Sequence, residues 1–259
     1  MPVAAINGQE IYFEDSGGGG PALVLSHGFL MDHDMFAPQV DDLAGEFRVV
    51  TWDERGFGRT PATGPFSYWD SADDCLSLLD HLDIDRAVLA GMSQGGFLSL
   101  RAALRAPARV RGLVLIDTQS GLEDPATVDA YEALGTTFIE QGPEPVQEII
   151  AAIILGPGVD GAPWFRKWAE LDRKGFEYAF RCLMDRDDVS DRLGSVGAPT
   201  IIFHGTDDAA IPMVKAEFLR DELPGCRGLV AVAGAGHASN LSHPQQINPR
   251  LREFLRSIG

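Results

Sequence analysis

Ala87-Val-Leu-Ala-Gly-Met-Ser-Gln-Gly-Gly96 decides the fold. Its first four residues are a short apolar run of the kind that forms a buried strand. Gly91 to Gly95 then spell G-x-S-x-G around Ser93, and Phe97-Leu-Ser-Leu-Arg-Ala-Ala-Leu104 reads as a helix. A serine hydroxyl attacks a carbonyl only if it projects into the open beside a base, and a sharp strand-to-helix turn presents it that way. Such a turn holds serine in an unfavourable backbone conformation, and flanking glycines remove the side chains that would clash. Taken alone the pattern also fits a glycine-rich βα turn without chemistry. Its placement between strand and helix makes Ser93 a candidate nucleophile.

Working outward, the same alternation recurs. Ala22-Leu-Val-Leu25, Phe47-Arg-Val-Val-Thr51, Leu113-Val-Leu-Ile116, Thr200-Ile-Ile-Phe203 and Leu229-Val-Ala-Val232 are further apolar runs, with helical patterns between them. Continuous runs indicate strands covered on both faces, so the fold class is α/β with a mostly parallel sheet. Before them, Val3 to Ile6 and Glu10 to Glu14 read as a hairpin turned at Asn7-Gly8, and Gly17 to Gly20 as a flexible turn.

From about Leu122 to Asp191 the alternation stops. Val146, Ile149, Ile150, Ile153 and Ile154 make one apolar helix face. Trp164, Trp168 and Leu171 suggest a second helix, Phe176, Phe180, Leu183 and Met184 a third, and Tyr131, Leu134 and Phe138 a fourth. The expected organisation is a core of residues 1–121 and 192–259 carrying an inserted helical cap, 122–191.

Composition narrows the function. A formal charge of −17 would be repelled by a nucleic-acid backbone or an anionic membrane, so neither is an expected partner. No apolar run approaches the roughly 20 residues of a membrane span. Met-Pro-Val-Ala-Ala-Ile-Asn-Gly lacks a basic segment followed by an apolar one, which predicts no signal peptide. Cys75, Cys182 and Cys226, odd in number and far apart, read as reduced thiols of a cytoplasmic protein. HExxH, a post-strand G-x-G-x-x-G and a cysteine–histidine cluster are all missing, so no metal or organic cofactor is expected.

A base and an acid must serve Ser93. Of six histidines, His237 follows the last apolar run in the glycine-rich loop Gly234-Ala-Gly-His and comes after both serine and acid. His81 lies among charged helix residues and His243 precedes Pro244, as a surface or capping residue would. The acid belongs at a strand end. Asp207 and Asp208 follow the run ending at Phe203, and Asp117 follows the one ending at Ile116. Residue type alone leaves all three open.

Five motifs in order, Ser26-His-Gly-Phe29, Asp53-Glu-Arg-Gly-Phe-Gly-Arg-Thr60, the serine turn, His204-Gly-Thr-Asp-Asp208 and Gly234-Ala-Gly-His237, make the chain resemble the α/β-hydrolase superfamily along nearly its whole length. It is most similar to small esterases, 3-oxoadipate enol-lactonases and cofactor-free haloperoxidases. The resemblance implies an eight-stranded sheet and a helical cap over the site. It selects Asp208, three residues after a glycine and four before a proline, to complete a triad with Ser93 and His237. It implies an oxyanion hole from the backbone N–H groups of Phe29 and Gln94, with His27 bracing that loop. Leu30, Trp164 and Trp168 are expected at the substrate pocket. The Asp53, Arg55, Gly56, Gly58 stretch reads as a structural turn with a local ion pair. The implied activity is hydrolysis of a small carboxylic ester or lactone. Cofactor-free perhydrolysis or halogenation uses an identical triad, and Leu30 stands where some perhydrolases carry proline. A ligand receptor that keeps the fold is the non-enzymatic alternative.

Overall fold

A computed structural model describes residues 2–259. The hairpin is β1 (Val3–Ile6) and β2 (Gln9–Asp15), paired antiparallel. Asn7 and Gly8 between them have φ of 49° and 76°, the two left-handed residues that a tight two-residue turn requires. Six more strands follow: β3 (Ala22–Ser26), β4 (Arg48–Trp52), β5 (Ala87–Met92), β6 (Val110–Ile116), β7 (Thr200–Gly205) and β8 (Cys226–Val232). They form one eight-stranded sheet in the order β1-β2-β4-β3-β5-β6-β7-β8, parallel from β4 to β8.

Helices cover both faces, as the unbroken apolar runs require. On one face α2 (Tyr68–His81), α3 (Gln94–Arg105) and α8 (Met213–Glu222) pack over Val24, Leu89, Leu113 and Ile202. On the other, α1 (Ala37–Leu43) and α10 (Pro244–Ile258) pack over Leu23, Leu25, Val88 and Val114. Alternate residues of one strand thus serve opposite cores. A short α9 (Ser239–Ser242) precedes α10.

Four helices lie between β6 and β7: α4 (Pro125–Gln141), α5 (Gln147–Ile154), α6 (Ala162–Glu170) and α7 (Arg173–Met184). Asp124 caps α4 by accepting the Ala126 and Thr127 N–H groups, and Asp172 caps α7 by accepting that of Gly175. Their buried Phe138, Ile150, Trp168 and Phe176 join the apolar cluster that holds Leu30 and Met31. Among the described residues, no helix is long and apolar enough to cross a membrane.

The registers set the site. Ser26 lies opposite Gly91, Met92 opposite Ile116, Ile116 opposite Phe203, and Gly205 opposite Val232. The carboxyl ends of β3, β5, β6, β7 and β8 therefore end in line. The serine turn and the Ser26, His204 and Gly234 motif loops emerge there, where open α/β sheets hold their ligands.

The Asp53 turn departs from expectation in one respect. Arg55 pairs with Asp74 of α2, at 2.5 and 2.8 Å, rather than with Asp53. Asp53 instead accepts the backbone N–H groups of His33 and Arg59 and bonds His33 Nδ1. Its carboxylate is used up closing the turn on backbone groups, so Arg55 finds the other buried acid in reach.

Candidate active site

Ser93 occupies the turn between β5 and α3 with φ 51° and ψ −115°. Left-handed backbone costs a non-glycine residue roughly 1–2 kcal/mol, so neighbours must hold it. Ser93 N–H donates to Ile116 O at 2.9 Å, and Thr118 Oγ1 donates to Ser93 O at 2.7 Å. The glycines are sterically required: a Cβ on Gly91 would fall on the Gly95 carbonyl, and one on Gly95 on the Ser26 carbonyl. Of five non-glycine residues with positive φ among the described residues, three border this site: Leu30, Ser93 and Asp117.

His237 hangs from the loop after β8, its side chain 4% exposed, and its Nδ1 lies 2.9 Å from Asp208 Oδ2. A carboxylate can only accept there, so Nδ1 carries the hydrogen and Nε2 is left as the base. Burial works to lower the imidazole's pKa, but the charge and hydrogen bond of Asp208 outweigh it and the net direction is upward. Asp208 in turn resists its own burial through His237 and the Ile211 N–H, and its pKa is lowered.

The three candidate acids separate by contact. Asp207 is exposed. Asp117 is fully buried and hydrogen-bonds no ring: Oδ1 accepts the Gly205 N–H at 2.8 Å and Oδ2 the Ser239 N–H at 3.0 Å. It thus stitches the loop bearing Asp208 to the loop bearing His237. Burial and the nearby Asp208 carboxylate push Asp117 up to about 7. Two carboxylates this close do not both ionise freely, and the one bonded to the imidazole keeps the charge. His204 completes a tight group with these acids, its ligand atom within 4.8 Å of theirs. Its Nε2 donates to Ile211 O at 2.8 Å, and burial lowers its pKa. The oxygens a cation would need already accept N–H groups from the protein.

Beside Ser93, Gln94 begins α3, where N–H groups have no helical partner. Its side chain is turned away, bonded to Glu54 Oε1 at 3.2 Å and Tyr68 Oη at 3.1 Å. Burial raises the Glu54 carboxyl well above its usual range. Phe29 sits across from it, in a turn closed by Met31 N–H to Gly28 O at 3.0 Å. Among the described residues, neither the Phe29 nor the Gln94 backbone N–H is given to a protein acceptor. His27 is a spacer of fixed tautomer: Nδ1 donates to Gly28 O and Nε2 accepts the Glu54 N–H.

Ser93 and His237 line one cavity of about 80 Å³. Phe29 and Leu30 form one wall, and Leu134, Ile150, Phe176 and Phe180 of α4, α5 and α7 roof it. Its polar end is Glu123, ion-paired with Arg186, beside Tyr131. The structure therefore brings Ser93, Asp208, His237, Phe29, Gln94 and Leu30 together. Trp164 and Trp168 lie elsewhere: both are buried, neither lines this cavity, and the indole N–H of Trp168 donates to Leu30 O at 2.6 Å behind the Phe29 loop. Glu123 and Ile211, which also line the cavity, escape a reading by pattern because neither belongs to a motif.

A strand-ending serine turn, a histidine held by a carboxylate and unclaimed backbone donors on a parallel sheet define a hydrolase architecture. The chain belongs to the alpha/beta hydrolase fold family, whose model matches residues 21–244. It is 30% identical over 258 residues to a putative carbamate hydrolase RutD of Rhizobium rhizogenes, covering 91% of this chain and 92% of that one. It is 27% identical over 247 residues to 3-oxoadipate enol-lactonase 1 of Acinetobacter baylyi, covering 92% and 90%. The solved structure of a thermophilic esterase from Thermogutta terrifontis superimposes with a TM-score of 0.88 at 28% identity, covering 99% of this chain and 97% of that one. The chain is a hydrolase of the esterase and lactonase type.

Proposed function

We propose that the chain hydrolyses a small, uncharged carboxylic ester or lactone through an acyl-enzyme on Ser93. The observation that carries this reading is the 2.9 Å bond from His237 Nδ1 to Asp208, on an imidazole that shares an apolar cavity with Ser93. Ser93 Oγ attacks the acyl carbon while His237 Nε2 takes its proton, and Asp208 stabilises the imidazolium. The oxyanion of the tetrahedral intermediate accepts the N–H groups of Phe29 and Gln94. Collapse breaks the bond to the leaving oxygen, which takes the proton back from Nε2. Water then repeats the sequence: its proton goes to Nε2, its oxygen to the acyl carbon, and Ser93 leaves reprotonated as the carboxylic acid forms.

Residues 122–191 act in this reading as a cap that sets the size and charge of the acyl group. The cavity's lining is apolar apart from Ser93, His237, Tyr131 and Glu123, and among the described lining residues there is no lysine or arginine. An acid-bearing lactone, of the kind named for the 3-oxoadipate relative, would meet Glu123 and no cation. A fluorophosphonate probe followed by peptide mapping tests the reading: the adduct belongs on Ser93, and Ser93→Ala should lower turnover of short aryl esters by roughly 10⁴-fold. Labelling of another serine, or an active alanine variant, would overturn it.

A further inference from the structure

We propose that Trp168 and Lys167 of α6 are positioning residues for the oxyanion hole, gripping from behind the turn that presents the Phe29 N–H. This rests on the acyl-transfer reading above. The turn Gly28 to Met31 carries Leu30 at its third position with φ 60°, where glycine is the ordinary occupant. Such a conformation persists only where surrounding contacts over-determine it. On the sheet side Gly28 is pressed so close that a Cβ would sit 2.5 Å from Met92 Sδ. On the other side the Trp168 indole N–H holds the Leu30 carbonyl at 2.6 Å. Lys167 adds three bonds to the residues that follow, to Asp32 Oδ1 at 2.7 Å, Asp32 Oδ2 at 2.6 Å and Asp34 Oδ2 at 2.6 Å. Asp32 is itself the cap of the next short helix, accepting the Asp34 N–H at 3.0 Å. Two adjacent side chains of one helix in the inserted segment thus fasten the whole loop from Leu30 to Asp34.

The consequence falls on the transition state. Releasing the Leu30 carbonyl frees the turn to leave its left-handed state, and the Phe29 N–H swings with it. A ground-state ester makes little use of that donor, whereas the oxyanion depends on it, so loosening the grip lowers kcat and spares KM. The same contacts join α6 to the core, so seating this helix and forming the hole are one event. Trp164 supplies an internal comparison: it is buried on the same helix, with the Lys167 ammonium 4.8 Å from its ring centroid, and among the described residues it makes no hydrogen bond to the loop.

Trp168→Phe keeps an aromatic ring and deletes the donor. It should lower kcat on a short-chain aryl ester by about 10- to 100-fold with KM within twofold. An alkylboronic acid, which forms a tetrahedral serine adduct, should lose affinity by a similar factor. Lys167→Met should do the same in smaller measure. Trp164→Phe should lower the melting temperature and leave kcat within twofold. Backbone hydrogen exchange over residues 28–34 should quicken in Trp168→Phe and not in Trp164→Phe. Unchanged exchange in Trp168→Phe overturns the proposal, as does a kcat that falls equally in both tryptophan variants. A wild-type protein inert to esters and to the fluorophosphonate defeats the hydrolase reading instead, and the exchange comparison still decides the grip.

Discussion

Asp117→Asn replaces one oxygen of a carboxylate that joins two loops through Gly205 and Ser239. An amide accepts only through its carbonyl, so one backbone N–H is left facing an NH₂ group, a loss of about 1–3 kcal/mol for a buried donor. Charge works the other way. Burial, then the Asp208 carboxylate, raise Asp117 from 3.8 to about 7. Because the folded value lies above the unfolded one, the native state keeps a proton that the unfolded chain has released. The stability this group contributes is therefore whole below about pH 3.8 and is lost as pH rises to about 7. At about 1.36 kcal/mol per pH unit the loss amounts to about 4 kcal/mol. Asparagine does not titrate. The variant should be the less stable protein near pH 4, match wild type at about pH 5 to 6, and be the more stable one by about 2 kcal/mol above pH 7. Urea unfolding followed by tryptophan fluorescence at stepped pH measures the difference directly. Parallel stability curves would refute the reasoning, since Asp117 would then hold the same protonation state folded and unfolded.

The two aspartates should also separate in catalysis. Asp208→Asn removes the imidazolium's partner and should lower kcat by about 10³- to 10⁴-fold, whereas Asp117→Asn keeps one loop contact and should stay within about 10-fold; the reverse ranking would move the orienting acid to the end of β6. For substrate charge, an aryl butyrate and the aryl hemiester of succinate form a matched pair. The neutral ester should be preferred by about 100-fold or more, because an unpaired carboxylate in an apolar cavity costs several kcal/mol. Glu123→Gln leaves Arg186 without its carboxylate and should narrow that gap, while equal rates in wild type would sink the uncharged-substrate reading.

What can be read in the sequence is what depends on neighbours along the chain. The strand of β5, the glycines around Ser93 and the Asn7-Gly8 turn are local devices, and each stands in the structure where its residues imply. The helices of the inserted segment are legible for the same reason, since spacing of 3.6 marks an apolar face, although Ile149 of the α5 face is exposed. Spacing does not say what that face meets. Trp164 and Trp168 promise a pocket wall, and both are buried away from the cavity instead, Trp168 against the back of the Phe29 loop. Arg55 has an acid two residues away and bonds one 19 residues away. Asp117 and Asp208 both follow strands and both accept two backbone amides, and the imidazole that Asp208 alone bonds divides them. Glu123 and Lys167 are single charges among many on a chain with 38 acids and 21 lysines and arginines, and no pattern marks them.

That charge imbalance has a place in the proposed reaction. The chain carries a net charge of −17, and the cavity lining offers no lysine or arginine. A neutral ester approaches such a surface without electrostatic penalty, while an anionic one is disfavoured at long range and again on desolvation. Hydrolysis reverses the situation within the site. The substrate enters uncharged and its acyl half becomes a carboxylate, next to the Glu123 carboxylate and a wall of Phe and Ile side chains. The cavity that admits the ester is therefore a poor host for the acid it yields. Its apolar roof, the Glu123–Arg186 pair that leaves no free cation, and the negative surface all act in one direction, toward release of the product.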